Sequence, residues 1–276
     1  MGRDLRGHAV LLTGGSRGIG RCVADQLAAR GCRLALVARG ASELQAAVSE
    51  LRARQIDAHA IAGDLTKEGD RERIVAAAVE KLGGLDVLIN NAGTCSFGEF
   101  SSSSEDILRQ IMEINFFVPV ELTRLCLPHL MKSPHRPAIV NIASICGRRG
   151  FPSFPEHSAS KFALVGITEA LRCEFARFDV DVLLVVPGLA KVQDFDKHLL
   201  RNDGRIHIDW DRVQSPVKVA AGIVRALQRN RRETVIGWLA LQIHRLQRVW
   251  PSLMDAILIR KVRKHEERSH PAWERE

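Results

Sequence analysis

The chain has 276 residues, of which 46% are apolar and 26% charged, and it contains no tyrosine. That composition excludes a disordered or collagen-like chain, provides for a sizeable core, and rules out any chemistry that needs a phenol. The formal net charge is +8; residues 225–276 hold 12 Lys/Arg against 6 Asp/Glu and so carry +6 of it, which reads as an anionic partner or a solvated basic face.

Hydrophobic periodicity predicts the elements in chain order. Residues 8–13 form a buried strand that runs into glycines, and 19–30 a helix stopped by Gly31. A strand over 33–38, a helix over 41–54, a strand over 57–62 and a helix over 67–82 follow, the last ended by Gly83-Gly84. Residues 85–90 are a fourth strand. Residues 104–131 form a long helix that Pro119 and Pro128 bend or break. A strand over 138–143, a helix over 156–178 and a strand over 180–186 come next, then a helix over 216–229 and a seventh strand over 233–237. The strands are continuous apolar runs alternating with helices. This predicts an α/β fold of Rossmann type: a doubly wound, mostly parallel seven-stranded sheet with helices on both faces. The domain spans 1–240. Residues 241–276 form a basic amphipathic helical extension divided by Pro251.

The six cysteines (Cys22, Cys32, Cys95, Cys126, Cys146, Cys173) show no CxxC pair and no zinc-ligand spacing with histidine. No metal is expected, and reduced thiols suit a cytoplasmic protein. The first residues hold too short an apolar run for a signal peptide, and Arg6 stands where N-myristoylation wants Ser or Thr. No window of ~18 apolar residues predicts a spanning helix.

The first strand-to-helix turn reads Thr13-Gly14-Gly15-Ser16-Arg17-Gly18-Ile19-Gly20. Glycines there let a pyrophosphate approach the backbone, and the helix that follows offers it unpaired N–H groups. The second strand ends Val37-Ala38-Arg39-Gly40, without the acid that usually binds the ribose 2′-hydroxyl of NAD. Arg39 and Arg17 instead suit a 2′-phosphate, so NADP(H) is expected over NAD(H).

Together with Asp64-Leu65, Asn90-Asn91-Ala92-Gly93, Asn115, Ser144 and Lys161, this turn resembles the short-chain dehydrogenase/reductase family over about residues 5–237. The resemblance implies an oxidoreductase that interconverts an alcohol and a carbonyl. It implies that Asp64 and Leu65 hold the adenine, that Asn91, Ala92 and Gly93 line the cofactor, and that Pro187-Gly188 lie beside the nicotinamide. It also implies a catalytic set of Asn115, Ser144, Lys161 and a tyrosine. At the tyrosine position, four residues before Lys161, stands His157. Spacing of four puts His157 and Lys161 on one helix face. A phenol titrates near ~10 and an imidazole near ~6.5, so a neutral histidine is a poor acid but carries a good bare-nitrogen base. Three readings stay open: His157 substitutes in the acid/base role, the chain binds the dinucleotide and scaffolds with little turnover, or the site hosts other proton chemistry. Val192 stands where the family often has a Thr that binds the nicotinamide amide.

Candidate substrate walls are 94–100, 145–154 and 190–210, with Phe97, Phe151, Phe154 and Phe195 favouring an apolar alcohol or ketone. Arg148-Arg149 either meet an acidic substrate or face water. Residues 191–210 read as a lid. The helices over 104–131 and 156–178 are expected to support a homo-oligomer, as the resemblance implies. Trp238, Trp250 and the basic run Arg260-Lys261-Val262-Arg263-Lys264 suit a membrane surface, a partner subunit or packing on the protein's own core. No nucleic-acid motif is present.

Overall fold

The computed structural model describes residues 2–191, 199–203 and 213–269. Seven strands build the main sheet: β1 (Ala9–Thr13), β2 (Arg33–Ala38), β3 (Ala58–Ala62), β4 (Val87–Asn90), β6 (Ala138–Ile142), β7 (Asp181–Pro187) and β9 (Glu233–Ile236). Their order is β3-β2-β1-β4-β6-β7-β9, and every neighbouring pair is parallel. The order reverses between β1 and β4, which opens a crevice at the carboxyl ends of the strands.

Alternation along each strand feeds two cores. On one face Val10 and Leu12 of β1 and Leu34 and Leu36 of β2 pack with Val23 and Leu27 of helix α1 (Gly18–Ala28), Leu44 and Val48 of α2 (Ala41–Ala53), and Val224 and Leu227 of α7 (Pro216–Gln228). On the other, Leu11, Leu88 and Ile139 meet Ile74 and Ala78 of α3 (Glu68–Leu82) and Leu122 and Cys126 of α5 (Val118–Leu130). Leu36 is fully buried; truncating such a leucine to alanine costs about 2–5 kcal/mol. A third, smaller cluster joins Ala143, Ile145 and Val186 to Leu164 and Val165 of α6 (Pro155–Glu174) and Ala240 of α8 (Trp238–Val249).

The predicted helix over 104–131 is divided. After α4 (Glu105–Met112), residues Glu113–Phe117 form a π-helical turn in which the Val118 N–H reaches the Glu113 carbonyl; α5 then begins. Pro119 has no N–H to give the residue-115 carbonyl, so the ladder slips by one residue just before it. A two-stranded parallel sheet of β5 (Ser96–Phe97) and β8 (Arg201–Asn202) was not foreseen. Of the predicted lid, residues 191 and 199–203 are described; the rest, with Val192 and Phe195, lies outside the described residues. Lys191 N–H donates to the Gln214 carbonyl, which brings together the two ends of that stretch. Beyond β9, α8 is followed at Pro251 by α9 (Pro251–Ser269). Trp250 leaves the helical region before the proline, at φ −143° and ψ 71°.

Candidate active site

A cleft of about 1020 Å³ opens at the switch point and runs from Arg39 and Thr66 at one end to His157, Lys161 and Leu200 at the other. The glycine turn forms its floor. Gly14 and Gly18 sit at φ 68° and 56°, which L side chains rarely adopt. A Cβ on Gly20 would lie 1.9 Å from the Gly14 carbonyl oxygen. The turn is tied to the end of β4: Thr13 Oγ1 accepts from the N–H groups of Asn91 (3.0 Å) and Ala92 (2.9 Å), and Asn91 Nδ2 donates to the Thr13 carbonyl at 2.9 Å. Helix α1 has no side-chain cap and no acid in its first turn. Its first N–H groups and its positive dipole end are therefore left for an anion, and the residues present fit a pyrophosphate.

At the outer end Arg17, Arg39, Gly40, Glu43, Asp64 and Thr66 line the cleft. Arg17 and Arg39 are exposed and, among the described residues, have no ion-pair partner. Asp64 Oδ1 accepts from the Thr66 N–H and hydroxyl, which fixes the turn after β3 and places the buried Leu65 in the second core. Glu43 is a carboxylate at this end that the sequence reading missed.

At the inner end Ala92, Gly93, Thr94, Cys95, His157 and Lys161 converge. Asn115 stands behind them, fully buried on the π turn. A Cβ on Gly93 would meet Asn115 Oδ1 at 3.0 Å and Lys161 Nζ at 3.6 Å, so glycine there lets both approach. Asn115 Oδ1 accepts from the Thr94 N–H at 2.9 Å; its Nδ2 donates to the Thr94 carbonyl at 2.9 Å and to Ser160 Oγ at 3.0 Å. Both amide hydrogens are thereby used. His157 Nδ1 lies 3.2 Å from the same Thr94 carbonyl, which can only accept. The 3.5 Å approach of Asn115 Nδ2 to Nδ1 therefore carries no hydrogen bond. By this assignment Nδ1 bears the proton and Nε2 is bare. Among the described residues Nε2 has no partner, and it is not among the polar atoms sealed from solvent.

Burial, followed by the charge of Lys161, lowers the His157 pKa to about 3, so the ring is neutral at ordinary pH. Lys161 Nζ donates to the Ile142 carbonyl at 3.0 Å, and burial lowers its pKa to about 8 despite the neighbouring Cys95 and Cys146 thiols. Ser144 Oγ accepts from the Cys146 N–H at 3.2 Å and caps a short 3-10 turn.

The structure thus brings together in one cleft Gly14, Ser16, Arg17, Gly18, Ile19, Gly20, Arg39, Asp64, Leu65, Asn91, Ala92, Gly93, His157 and Lys161. Asn115 and Ser144 stand outside its lining, the first buried behind it. Pro187 and Gly188 do not line it either: Gly188 sits under α8, where a Cβ would be 3.1 Å from that of Ala240. Phe97 and Phe154 stack edge to face 5.2 Å apart, and Phe151 packs on the third core, so none of these rings lines the cleft. Its apolar inner wall is Cys95, Ile114, Leu199 and Leu200 instead. Arg148 and Arg149 neither line the cleft nor stand free. Arg148 pairs with Glu169 (2.7 Å) and Glu233 (2.8 Å), and Arg149 with Asp255 at 2.5 Å.

The fold and cleft define a Rossmann-type protein with a dinucleotide-shaped site. A sequence profile of the short chain dehydrogenases matches residues 8–202, and the chain belongs to that family. It is 30% identical over 278 residues to dehydrogenase/reductase SDR family member 7B of Bos taurus, covering 96% of this chain and 85% of the relative. It is 34% identical to 11-beta-hydroxysteroid dehydrogenase-like 4A of Arabidopsis thaliana, over 82% of this chain and 75% of that one. A short chain dehydrogenase/reductase of Burkholderia phymatum, solved in complex with NAD, shares the fold with a TM-score of 0.81 at 23% identity, over 91% and 96% of the two chains. Members of the family act on CH–OH groups with NAD(P).

Proposed function

We propose that the chain is an NADP(H)-dependent oxidoreductase that interconverts an alcohol and a carbonyl on an apolar small molecule, with His157 Nε2 as the proton-handling atom. The observation that carries this reading is the Thr94 carbonyl, which holds the Nδ1 proton and leaves Nε2 bare at the inner end of the cleft.

The glycine turn and the start of α1 would bind the pyrophosphate, Leu65 would flank the adenine, and Arg17 and Arg39 would take a 2′-phosphate. When bound there, the nicotinamide would supply the hydride acceptor or donor for the carbinol carbon, the electron pair going with the hydride. Nε2 takes the hydroxyl proton during oxidation. A weak base suffices there, because a hydroxyl becomes strongly acidic as its carbon loses hydride. The family resemblance gives Ser144 the role of orienting the substrate oxygen, although it stands outside the cleft lining. Lys161 stays cationic below about pH 8 and disfavours imidazolium, so the proton passes on to water rather than resting on the ring. Asn115 and Thr94 position the imidazole. Exposed Phe117 on the π-helical turn, Met131 just after α5 and Phe162 on α6 support a homo-oligomeric contact, which sedimentation of wild type against Phe162→Glu would test.

The test is turnover of NADPH with ketones and of NADP+ with alcohols by wild type, His157→Ala and His157→Tyr. The proposal expects activity in wild type that His157→Ala lowers about 100-fold or more. Activity confined to His157→Tyr would identify a binding protein instead.

A further inference from the structure

The C-terminal helix pair is fixed to the body, and its outer side is unlike the rest of the surface. Ala240 is buried against Gly188, and Ile243 packs on the third core. Arg149, on the loop after Ser144, donates to Gln247 at 3.1 Å and pairs with Asp255 at 2.5 Å, which holds both α8 and α9. Met254 closes the joint. The opposite face of α8 presents Trp238 (76% exposed), Arg245 and Val249 (81% exposed) at helical spacing. On α9, Leu253, Ile257 and Arg260 share the face turned away from Met254 and Asp255. Trp250 is exposed at the joint, and Ile259 and Val262 lie beyond it. Of the 15 large apolar residues exposed among the described residues, 8 fall between Trp238 and Val262, so the patch is not background.

Arg245, Arg248, Arg260, Lys261 and Arg263 stand among these residues. Up to Arg263 the only acid on either helix is Asp255, already taken by Arg149. We infer that this outer face docks the protein in-plane on an anionic lipid surface. Tryptophans would sit at headgroup depth, the aliphatics between the acyl chains, and the arginines on the phosphates. A second copy is the poorer occupant, because a two-fold contact sets the arginine rows against each other. A nucleic acid would satisfy the cations but leave Val249, Leu253 and Ile257 in water. Among the described residues no helix is long and apolar enough to cross a membrane, which agrees with lying on the surface.

The test is flotation of the full chain with vesicles of phosphatidylcholine and phosphatidylglycerol, against vesicles of phosphatidylcholine alone. The inference expects co-flotation with the anionic vesicles, weakened by salt. Each of Arg245→Glu and Arg248→Glu should lower partitioning at least about fivefold. The pair Trp238→Ala and Trp250→Ala should also lower it, and NADPH turnover without vesicles should stay unchanged in all four variants, which reports an intact fold. Absence of co-flotation would overturn the inference, as would co-flotation indifferent to these variants. Self-association abolished by the tryptophan variants, without vesicle binding, would assign the face to a second copy.

Discussion

The proposed role of His157 in place of a phenol predicts an inverted pH dependence. The imidazole rests neutral, with a pKa lowered to about 3 by burial and then by Lys161. Carbonyl reduction must draw its proton from the imidazolium, whose population falls tenfold for each pH unit above that value and is about one in ten thousand at pH 7. kcat/KM for reduction should therefore fall about 100-fold between pH 5 and pH 7, without a plateau. kcat/KM for alcohol oxidation should stay level over the same range, because the bare Nε2 is already fully populated. Lys161, with its pKa near 8, remains cationic throughout that window and adds no break of its own. The assay is the absorbance of reduced nicotinamide, followed in both directions with one alcohol/ketone pair. In His157→Tyr the phenol stays protonated through the window, so reduction should become level there. A reductive plateau in wild type that breaks near pH 6.5 would mean that neither burial nor Lys161 depresses the His157 pKa, and the argument from burial would be wrong.

Three further outcomes follow from the same geometry. The folded His157 pKa lies below its unfolded value, so the unfolded chain binds the extra proton. Stability should fall as pH drops below about 6.5, by up to about 1.4 kcal/mol per unit from this group, and urea melts of His157→Gln should lack that component. Lys161 is a buried cation held by a single carbonyl. Lys161→Met should raise stability by roughly 1–3 kcal/mol in thermal melts while removing turnover; a large destabilisation would contradict the burial penalty. Arg39→Asp should weaken NADPH about 10- to 100-fold while sparing NADH, and equal losses for both would mean that Arg39 does not meet the 2′-phosphate.

The glycine turn was legible because its cause is local: a strand, backbone that no side chain can cover, then a helix. The parallel sheet followed from strand–helix alternation and the handedness of crossovers. Pro119 signalled a break in the long helix, but not that the ladder would widen at Glu113–Phe117 and turn Asn115 inward. The strands Ser96–Phe97 and Arg201–Asn202 are too short to show a period, and they pair across a hundred residues. Arg148 and Arg149 look like free surface charge in sequence, because their acids lie as far as 106 residues away. The same distance hid the Thr94 carbonyl that fixes His157: spacing placed His157 beside Lys161, while its tautomer depends on a loop 63 residues earlier.

The central claim is that the cleft binds a nicotinamide dinucleotide. Calorimetric titration of the full chain with NADPH and with NADH tests it most directly, with Gly20→Ala as the control whose Cβ would occupy the turn at 1.9 Å from the Gly14 carbonyl. The account predicts one NADPH per chain, bound more tightly than NADH and lost in Gly20→Ala. Folded wild-type protein that binds neither coenzyme would contradict it.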